Sequence, residues 1–426
     1  MDVKIQLALD FVDLDRAIKC LDEAFEYVDF IEAGTPLIKS EGLECVRQLK
    51  RRSRGKPVVA DMKIMDAGRI EVEAASKAGA DYVDVCAQAG DETVIECVDS
   101  ALNVGAKVVA DLIGVPNPLV RAERMQQLGV EVVTFHQGID RQMKGASSFK
   151  HVMAASQRLS IPLGCAGGLT SESAVDAVSA GASIIVVGGA ITKAEYPGEA
   201  AKKIRQAVDS MKKIPTKHFT RTKELYSLLA GVSCANLSDA QHRRGVLAGI
   251  TPLCGDFRFA GPAVTVRTYP GDWAKPVEAV DVASQGDVLV ITQGGVPPAC
   301  WGELATESAQ RKKLSAVVVD GAVRDAKEII KMGFPVYAKH VCPNAGEPKG
   351  FGEINVPLNI GGVTIKPGDI VVGDADGVVV VPQGKAVEIA NRAHDVLERE
   401  NRIREEIKEN SSLSKVTHLI KWEKTN

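Results

Sequence analysis

Hydrophobic and polar positions divide the chain in two. Up to about residue 210, short apolar runs rich in β-branched residues recur at roughly 22 to 30 residues: IQLALD, VDFIEAG, PVVADMK, DYVDVCA, KVVADLIG, EVVTFHQG, IPLGCAGG and SIIVVGG. Amphipathic segments lie between them. Asp15 to Ala24, for example, carries Ile18, Leu21 and Ala24 on one helical face with charges between. Eight strands separated by helix-length segments predict a parallel (β/α)8 barrel of the TIM type, with a doubly wound open sheet as the rival. The polar residues favour the barrel. Asp10, Glu32, Asp61, Lys63, Asp111 and His136 fall at or just past the carboxyl ends of the runs, the ends a barrel gathers on one rim.

Residues 211–222 (MKKIPTKHFTRT) are basic, contain Pro215 and lose the strand pattern, so they read as a linker. Beyond Glu224 a helix (ELYSLLAGVS) precedes valine-rich strands: PAVTVRT, DVLVITQ, SAVVVDGAV, FPVYAKH, GVTIKPGDIVVGD and GVVVVP. Several are joined by Pro-Gly and Asp-Gly turns instead of helices, which predicts an α+β layered domain over 223–385. From about Ala386 the chain reads as a charged helical extension reaching 426, a surface or assembly arm.

Composition narrows the function classes. With 426 residues, 45% hydrophobic and 25% charged, the chain is long and apolar enough for packed cores. A net charge of −3 and 4% aromatics argue against a nucleic-acid binder, which needs a basic surface or stacking platforms. The nine cysteines include no C-x-x-C pair, so they read as reduced thiols, without a zinc site or disulfide framework. The start, MDVKIQLALDFVDL, lacks a basic-then-apolar leader, and no stretch of about 18 apolar residues occurs; a cytoplasmic protein without membrane partners is expected.

The densest chemistry is Asp61-Met-Lys63-Ile-Met-Asp66. In an extended strand, positions 61 and 63 share a face, which sets a carboxylate beside an ammonium in the barrel mouth. Glu32 and Asp111 add carboxylates that repel one another unless a cation or shared proton joins them. Together with IEAG, VVADLIG and FHQGID, the motif DMKIMDAG resembles the orotidine monophosphate decarboxylase superfamily, specifically 3-hexulose-6-phosphate synthase, over nearly all of 1–210. The resemblance implies magnesium on Glu32 and Asp61 and Lys63 as stabiliser or acid. It further implies His136 as proton shuttle, Asp111 as its positioner or a hydroxyl ligand, and Asp66 reaching a neighbouring subunit's site in a barrel dimer. Asp10 is a substrate-binding candidate. The implied reaction joins formaldehyde to ribulose 5-phosphate reversibly. The sister activity, 3-keto-L-gulonate-6-phosphate decarboxylation, fits less well, because its pattern has Glu where Asp111 stands and an arginine where this chain has Ile139. Phosphate recognition is expected at the glycine pairs after the last two strands, Gly167-Gly168 and Gly188-Gly189.

In the second half, Glu303, twenty intervening residues, Arg324-Asp325, two residues and Glu328 make a second constellation. Arginine suits a two-pronged grip on a carboxylate, and adjacent acids suit a hard divalent cation. With WGELAT, VVVDGAVRD and GDADGVVVVP, the stretch from about Leu225 to Pro382 is similar to the RraA-like family, which includes 4-hydroxy-4-methyl-2-oxoglutarate aldolases. The resemblance implies a swivelling β/β/α fold and a pyruvate-like oxo-acid held by Arg324. It also implies a second magnesium on Asp325 with Glu303 as outer-shell acid, and enolate stabilisation by the amides of Leu304 and Ala305. Glu303 departs from the aspartate found in several of those aldolases. A non-catalytic protein-binding regulator is the other reading of this domain. Asp374-Ala-Asp376-Gly377 reads as a turn, since the later glutamate of a calcium loop is missing. Both families form oligomers, so a homo-oligomer with barrel dimers is expected.

Overall fold

The computed structural model describes residues 3–143, 149–216, 218, 222, 224–253, 255, 257–409 and 412–417. Parts of the expected linker (217 and 219–221), Cys254 and the tail 418–426 lie outside the described residues. Two compact units emerge: residues 1–221 with 398–426, and residues 222–397.

In the first unit, eight parallel strands close a barrel in sequence order: β1 (Lys4–Leu9), β2 (Phe30–Ala33), β3 (Val58–Ile64), β4 (Tyr82–Cys86), β5 (Lys107–Asp111), β6 (Val132–His136), β7 (Leu163–Ala166) and β8 (Ile184–Val187). Alternation along each strand sorts the side chains into two layers. Ile5, Leu7, Leu9, Ile31, Val83, Val85, Val133, Phe135, Ile185 and Val187 pack outward in the main core beneath the helices. Ala8, Val109, Val132, Ala166, Ile184 and Val186 form a small cluster on the other side, inside the barrel, with Tyr82 against it. The same inward parity carries Glu32, Asp61, Asp84, Asp111, Thr134 and His136, one step nearer the carboxyl ends. An apolar floor therefore supports a polar upper layer.

The charged C-terminal segment differs from the arm expected of it. From Glu398 it belongs to the barrel's unit. Arg402, 6% exposed, bonds Glu406 at 3.0 Å and the carbonyl of Glu195 at 3.0 Å, and Glu406 also accepts from Arg16 at 3.1 Å. Charges paired this way are buried without an apolar stripe to announce it.

The second unit is built on a mixed sheet. Its strands are β9 (Thr251–Pro252), β10 (Phe259–Thr268), β11 (Val288–Thr292), β12 (Ala299–Trp301), β13 (Ala316–Val323), β14 (Val336–Val341), β15 (Gly352–Ile354), β16 (Leu358–Ile360), β17 (Val363–Ile365), β18 (Ile370–Asp374) and β19 (Gly377–Val381). The main path runs β19-β18-β10-β11-β13-β14-β9, with β12 on β13, β15 on β10, and β16-β17 a separate hairpin. Strands β10, β11, β13 and β14 are mutually parallel, whereas β18 and β19 add antiparallel. Leu289, Ile291, Val317 and Val319 enter one core; Val288, Val290, Ala316 and Val318 enter the other. Burial on both faces explains why β13 reads as a near-continuous apolar run, interrupted at Asp320-Gly321, instead of an alternating one. No helix among the described residues is long and apolar enough to cross a membrane.

Candidate active site

The ammonium of Lys63 is the centre of the barrel's polar layer. It lies 2.5 Å from Asp61 Oδ1, 2.8 Å from Asp111 Oδ2 and 3.9 Å from Asp84 Oδ2. The Asp61–Lys63 contact expected from the sequence is present, but its cause is not plain strand alternation. Lys63 has φ 51°, and the β3–β4 register breaks between Ala60 and Ile64. This bulge turns Lys63 inward over its own strand. A left-handed lysine is uncommon, and such strain is retained where the surroundings enforce it.

Each carboxylate is held differently. Asp61 Oδ2 accepts from the hydroxyl of Thr35 at 2.7 Å, at the start of helix Thr35–Glu41. Asp111 takes the Ile113 amide at 2.8 Å on one oxygen and His136 Nδ1 at 2.8 Å on the other, which fixes the imidazole ring. Glu32 Oε2 accepts from Gln6 Nε2 at 2.7 Å. Asp84 is 7% exposed, and its Oδ1 has no hydrogen-bond partner among the described residues.

The titration follows this arrangement. Burial pushes Glu32 up to about 8, with Asp61 and Asp10 adding repulsion against the bond from Gln6. Burial also raises Asp84 well above the carboxylate range, with Lys63 working against it. Burial alone would raise Asp111, yet its bonds to His136 and Lys63 win and hold it at about 2. For Lys63, burial would lower the ammonium's pKa, and Asp84, Asp111 and Asp61 outweigh burial, so it stays charged. Asp61, Asp84 and Asp111 each bring an oxygen within 4.8 Å of the others, a donor set of hard oxygens.

The remaining expected residues ring this cluster. Asp10 stands exposed just past β1; a Cβ on Gly34 would come within 2.3 Å of its Oδ1, and one on Gly188 within 3.4 Å of its Oδ2. Gly167 and Gly168 adopt φ 105° and 70°, left-handed conformations that favour glycine. Asp66 is exposed, its carboxylate accepting from the Ala67 amide at 2.8 Å, outside the Lys63 cluster. Sequence reading missed Asp84, Gln6 and Thr35. The available signal for Asp84 was a carboxylate in the middle of the fourth apolar run, in phase with Tyr82.

In the second unit, β13 delivers Arg324 and Asp325 to the rim of a cavity of about 340 Å³. Glu303, Leu304 and Ala305, at the start of helix Glu303–Arg311, line the same cavity. Asp325, at φ 58°, accepts from the Glu303 amide at 3.3 Å and lies 3.4 Å from Arg324 Nε. The first-turn amides of a helix lack partners within it, so those of Leu304 and Ala305 suit an anion. Glu328 is not among the cavity's lining residues and pairs with Lys331 at 2.7 Å. Asp374 Oδ1 accepts from the Asp376 amide at 3.0 Å, as a turn requires.

Comparison with known proteins agrees with both halves. Residues 3–204 match the family model of orotidine 5′-phosphate decarboxylase / HUMPS, and residues 234–380 match that of Aldolase/RraA. The first half is 39% identical over 206 residues to a 3-hexulose-6-phosphate synthase of Mycobacterium gastri, covering 48% of this chain and 100% of that one. It is 34% identical over 207 residues to the 3-hexulose-6-phosphate synthase of Bacillus subtilis strain 168, covering 48% and 99%. A crystal structure of 3-hexulose-6-phosphate synthase aligns at 40% identity and a TM-score of 0.47, over 48% of this chain and 99% of that one. Through its barrel the chain belongs to the orotidine 5′-phosphate decarboxylase / HUMPS family, fused to an RraA-like domain.

Proposed function

We propose that the barrel joins formaldehyde to C1 of D-ribulose 5-phosphate, giving 3-hexulose 6-phosphate, and runs the same aldol step in reverse. The observation that carries this reading is one charged ammonium, Lys63, caged by Asp61 and Asp111, with His136 fixed on the same Asp111. The reaction needs a C1 proton removed, an enediolate stabilised and a carbon–carbon bond formed to the aldehyde. Lys63 donates to the oxyanion that develops, and its two aspartates keep it in place without reorganisation. His136 moves the proton, with Asp111 setting which ring nitrogen faces the substrate. Gly167, Gly168, Gly188 and Gly189 take the phosphate, and Asp10 takes a hydroxyl.

Asp61, Asp84 and Asp111 offer a hard divalent cation carboxylate oxygens within 4.8 Å of one another, and the buried Asp84 Oδ1 has no hydrogen-bond partner among the described residues; Glu32 lies outside that set and is the further ligand the resemblance implies. Glu32 and Asp61 would hold Mg²⁺, which when bound supplies charge stabilisation to the substrate's oxygens. In the second unit, Asp325 with Glu303 would hold another, beside Arg324 as the grip for an oxo-acid carboxylate. There the proposed activity is aldol cleavage or decarboxylation of a small oxo-acid.

Purified protein is tested for formaldehyde consumption with and without ribulose 5-phosphate and Mg²⁺, beside Asp61→Ala. Loss of formaldehyde that requires both additions and disappears in the variant supports the barrel reading; no consumption by folded protein refutes it. Magnesium-dependent turnover of oxaloacetate that is lost in Arg324→Ala supports the second site, and absent turnover refutes it.

A further inference from the structure

Beyond the eighth strand, the chain turns back over the barrel. Ile214 donates its amide to the Ser171 carbonyl at 3.3 Å and its carbonyl accepts from the Ser171 hydroxyl at 2.7 Å. Thr216 then donates its amide to Glu172 at 3.1 Å. Ser171 and Glu172 follow closely on Gly167-Gly168, so residues 214–216 are pinned beside the seventh-strand turn. Two residues on, His218 reaches the eighth-strand turn: a Cβ built on Gly189 would lie 3.9 Å from His218 Cε1 and 3.7 Å from Lys193 Cε. The His218 side chain is only 8% exposed, and its Nδ1 pairs with Glu398 Oε1 at 2.8 Å. His218, Lys193, Lys203 and Thr216 line one cavity of about 260 Å³ together with the carboxylates of Glu195, Glu199 and Glu398, and its volume is large enough for a phosphate group.

We propose that His218, oriented by Glu398, binds the phosphate of the barrel's substrate, so that residues outside the eight barrel repeats complete its phosphate pocket. This rests on the sugar-phosphate reading above. The chemistry is that of an oriented imidazole: a carboxylate on Nδ1 fixes the ring, and Nε2 would donate to an anion when both ring nitrogens carry protons. Glu398 is a positioning residue, whereas His218 touches the ligand. Lys193, on the turn that follows Gly189, adds positive charge at the same wall.

The test uses the full-length protein and His218→Ala, His218→Gln and Glu398→Gln. KM and kcat are measured for ribulose 5-phosphate, and inorganic phosphate binding is measured both by calorimetry and as inhibition. Losing one charge-assisted bond should raise KM about 10-fold in His218→Ala with kcat little changed, and weaken phosphate binding equally. His218→Gln should lose less, and Glu398→Gln should shift both quantities in the same direction by a smaller factor. Phosphate should compete with ribulose 5-phosphate. Unchanged KM and phosphate affinity in His218→Ala, or phosphate inhibition that does not compete, overturns the proposal. Should His218→Ala not fold, the other two variants decide by the same criterion. A protein that consumes no formaldehyde but loses phosphate affinity in these variants refutes the synthase reading and sustains this one; unaltered phosphate affinity refutes this one whatever the activity.

Discussion

Lys63 and Arg324 are both cations beside an aspartate at the carboxyl end of a parallel strand, yet their surroundings differ. The Lys63 side chain is 20% exposed against partners at 7% and 2%, while Arg324 and Asp325 are 46% and 39% exposed. In the barrel, therefore, charge is held in a low dielectric, where each pair interaction is strong and each missing partner is costly. In the RraA-like unit, water screens the pair, and its interaction contributes little to folding. The barrel site is organised before substrate arrives. The Arg324–Asp325 pair is exposed and weakly coupled, and under the proposed function its order would come with the ligand.

The largest effect should follow from removing the caged cation. Lys63→Met leaves Asp61, Asp84 and Asp111 close together without their counter-ion, which should destabilise the fold by about 3–5 kcal/mol. Formaldehyde consumption should fall by about 10³-fold or more, since the oxyanion loses its principal donor. Thermal melting and steady-state kinetics check both; a variant that melts like the parent would show that the cage does not depend on its ammonium. Asp111→Asn should come next. It keeps the shape but gives His136 a different hydrogen-bond partner, so kcat should fall by about 10²-fold. A variant with parental kcat would remove His136 from the proton pathway.

Much of this site was legible because a β/α barrel converts sequence phase into position. Glu32, Asp111 and His136 each end an apolar run, and the fold could place them on the rim without further information. Asp84 was harder to see, since it lies within its run, and only knowledge of the inward parity separates it from an edge charge such as Asp81. The bulge at Lys63 could not be read at all: an extended strand and a bulged one place Lys63 near Asp61 for different reasons, and nothing in D-M-K-I-M-D distinguishes them. The packing of the segment from Glu398 was equally hard to read, on physical grounds. A helix rich in Arg and Glu normally shows a solvated face, but Arg402 finds the Glu195 carbonyl, 207 residues away, and a partner so distant leaves no local trace.

Glu32 gives a stability effect that the exposed pair cannot. Its folded pKa of about 8 lies above its ordinary 4.5, so the native state binds the proton more tightly than the unfolded chain does. The stability this provides is complete below about pH 4.5 and is lost as pH rises towards 8, at most about 1.4 kcal/mol for each pH unit. Glu32→Gln removes that slope. Measured without divalent ions, the variant should melt close to the parent at pH 4 and above it at pH 8.5; assayed separately with Mg²⁺ present, it should lose formaldehyde consumption. Parallel melting curves at both pH values would mean that Glu32 is not held protonated in the native barrel.

Arg324→Ala should have the smallest effect on folding, and that is its use. Arg324 is exposed, and Asp325, with which it pairs, is also exposed and takes the Glu303 amide, so removing the guanidinium leaves Asp325 a partner and water. Stability should stay within about 0.5 kcal/mol of the parent, as for surface positions generally. Kinetics of the barrel should not change, while oxaloacetate turnover should disappear. Denaturant melts and the two assays run on one preparation separate the cases. A large loss of stability would show that the Arg324–Asp325 pair is as structurally committed as the Lys63 cage, and the contrast between a preassembled site and one ordered by its ligand would fail.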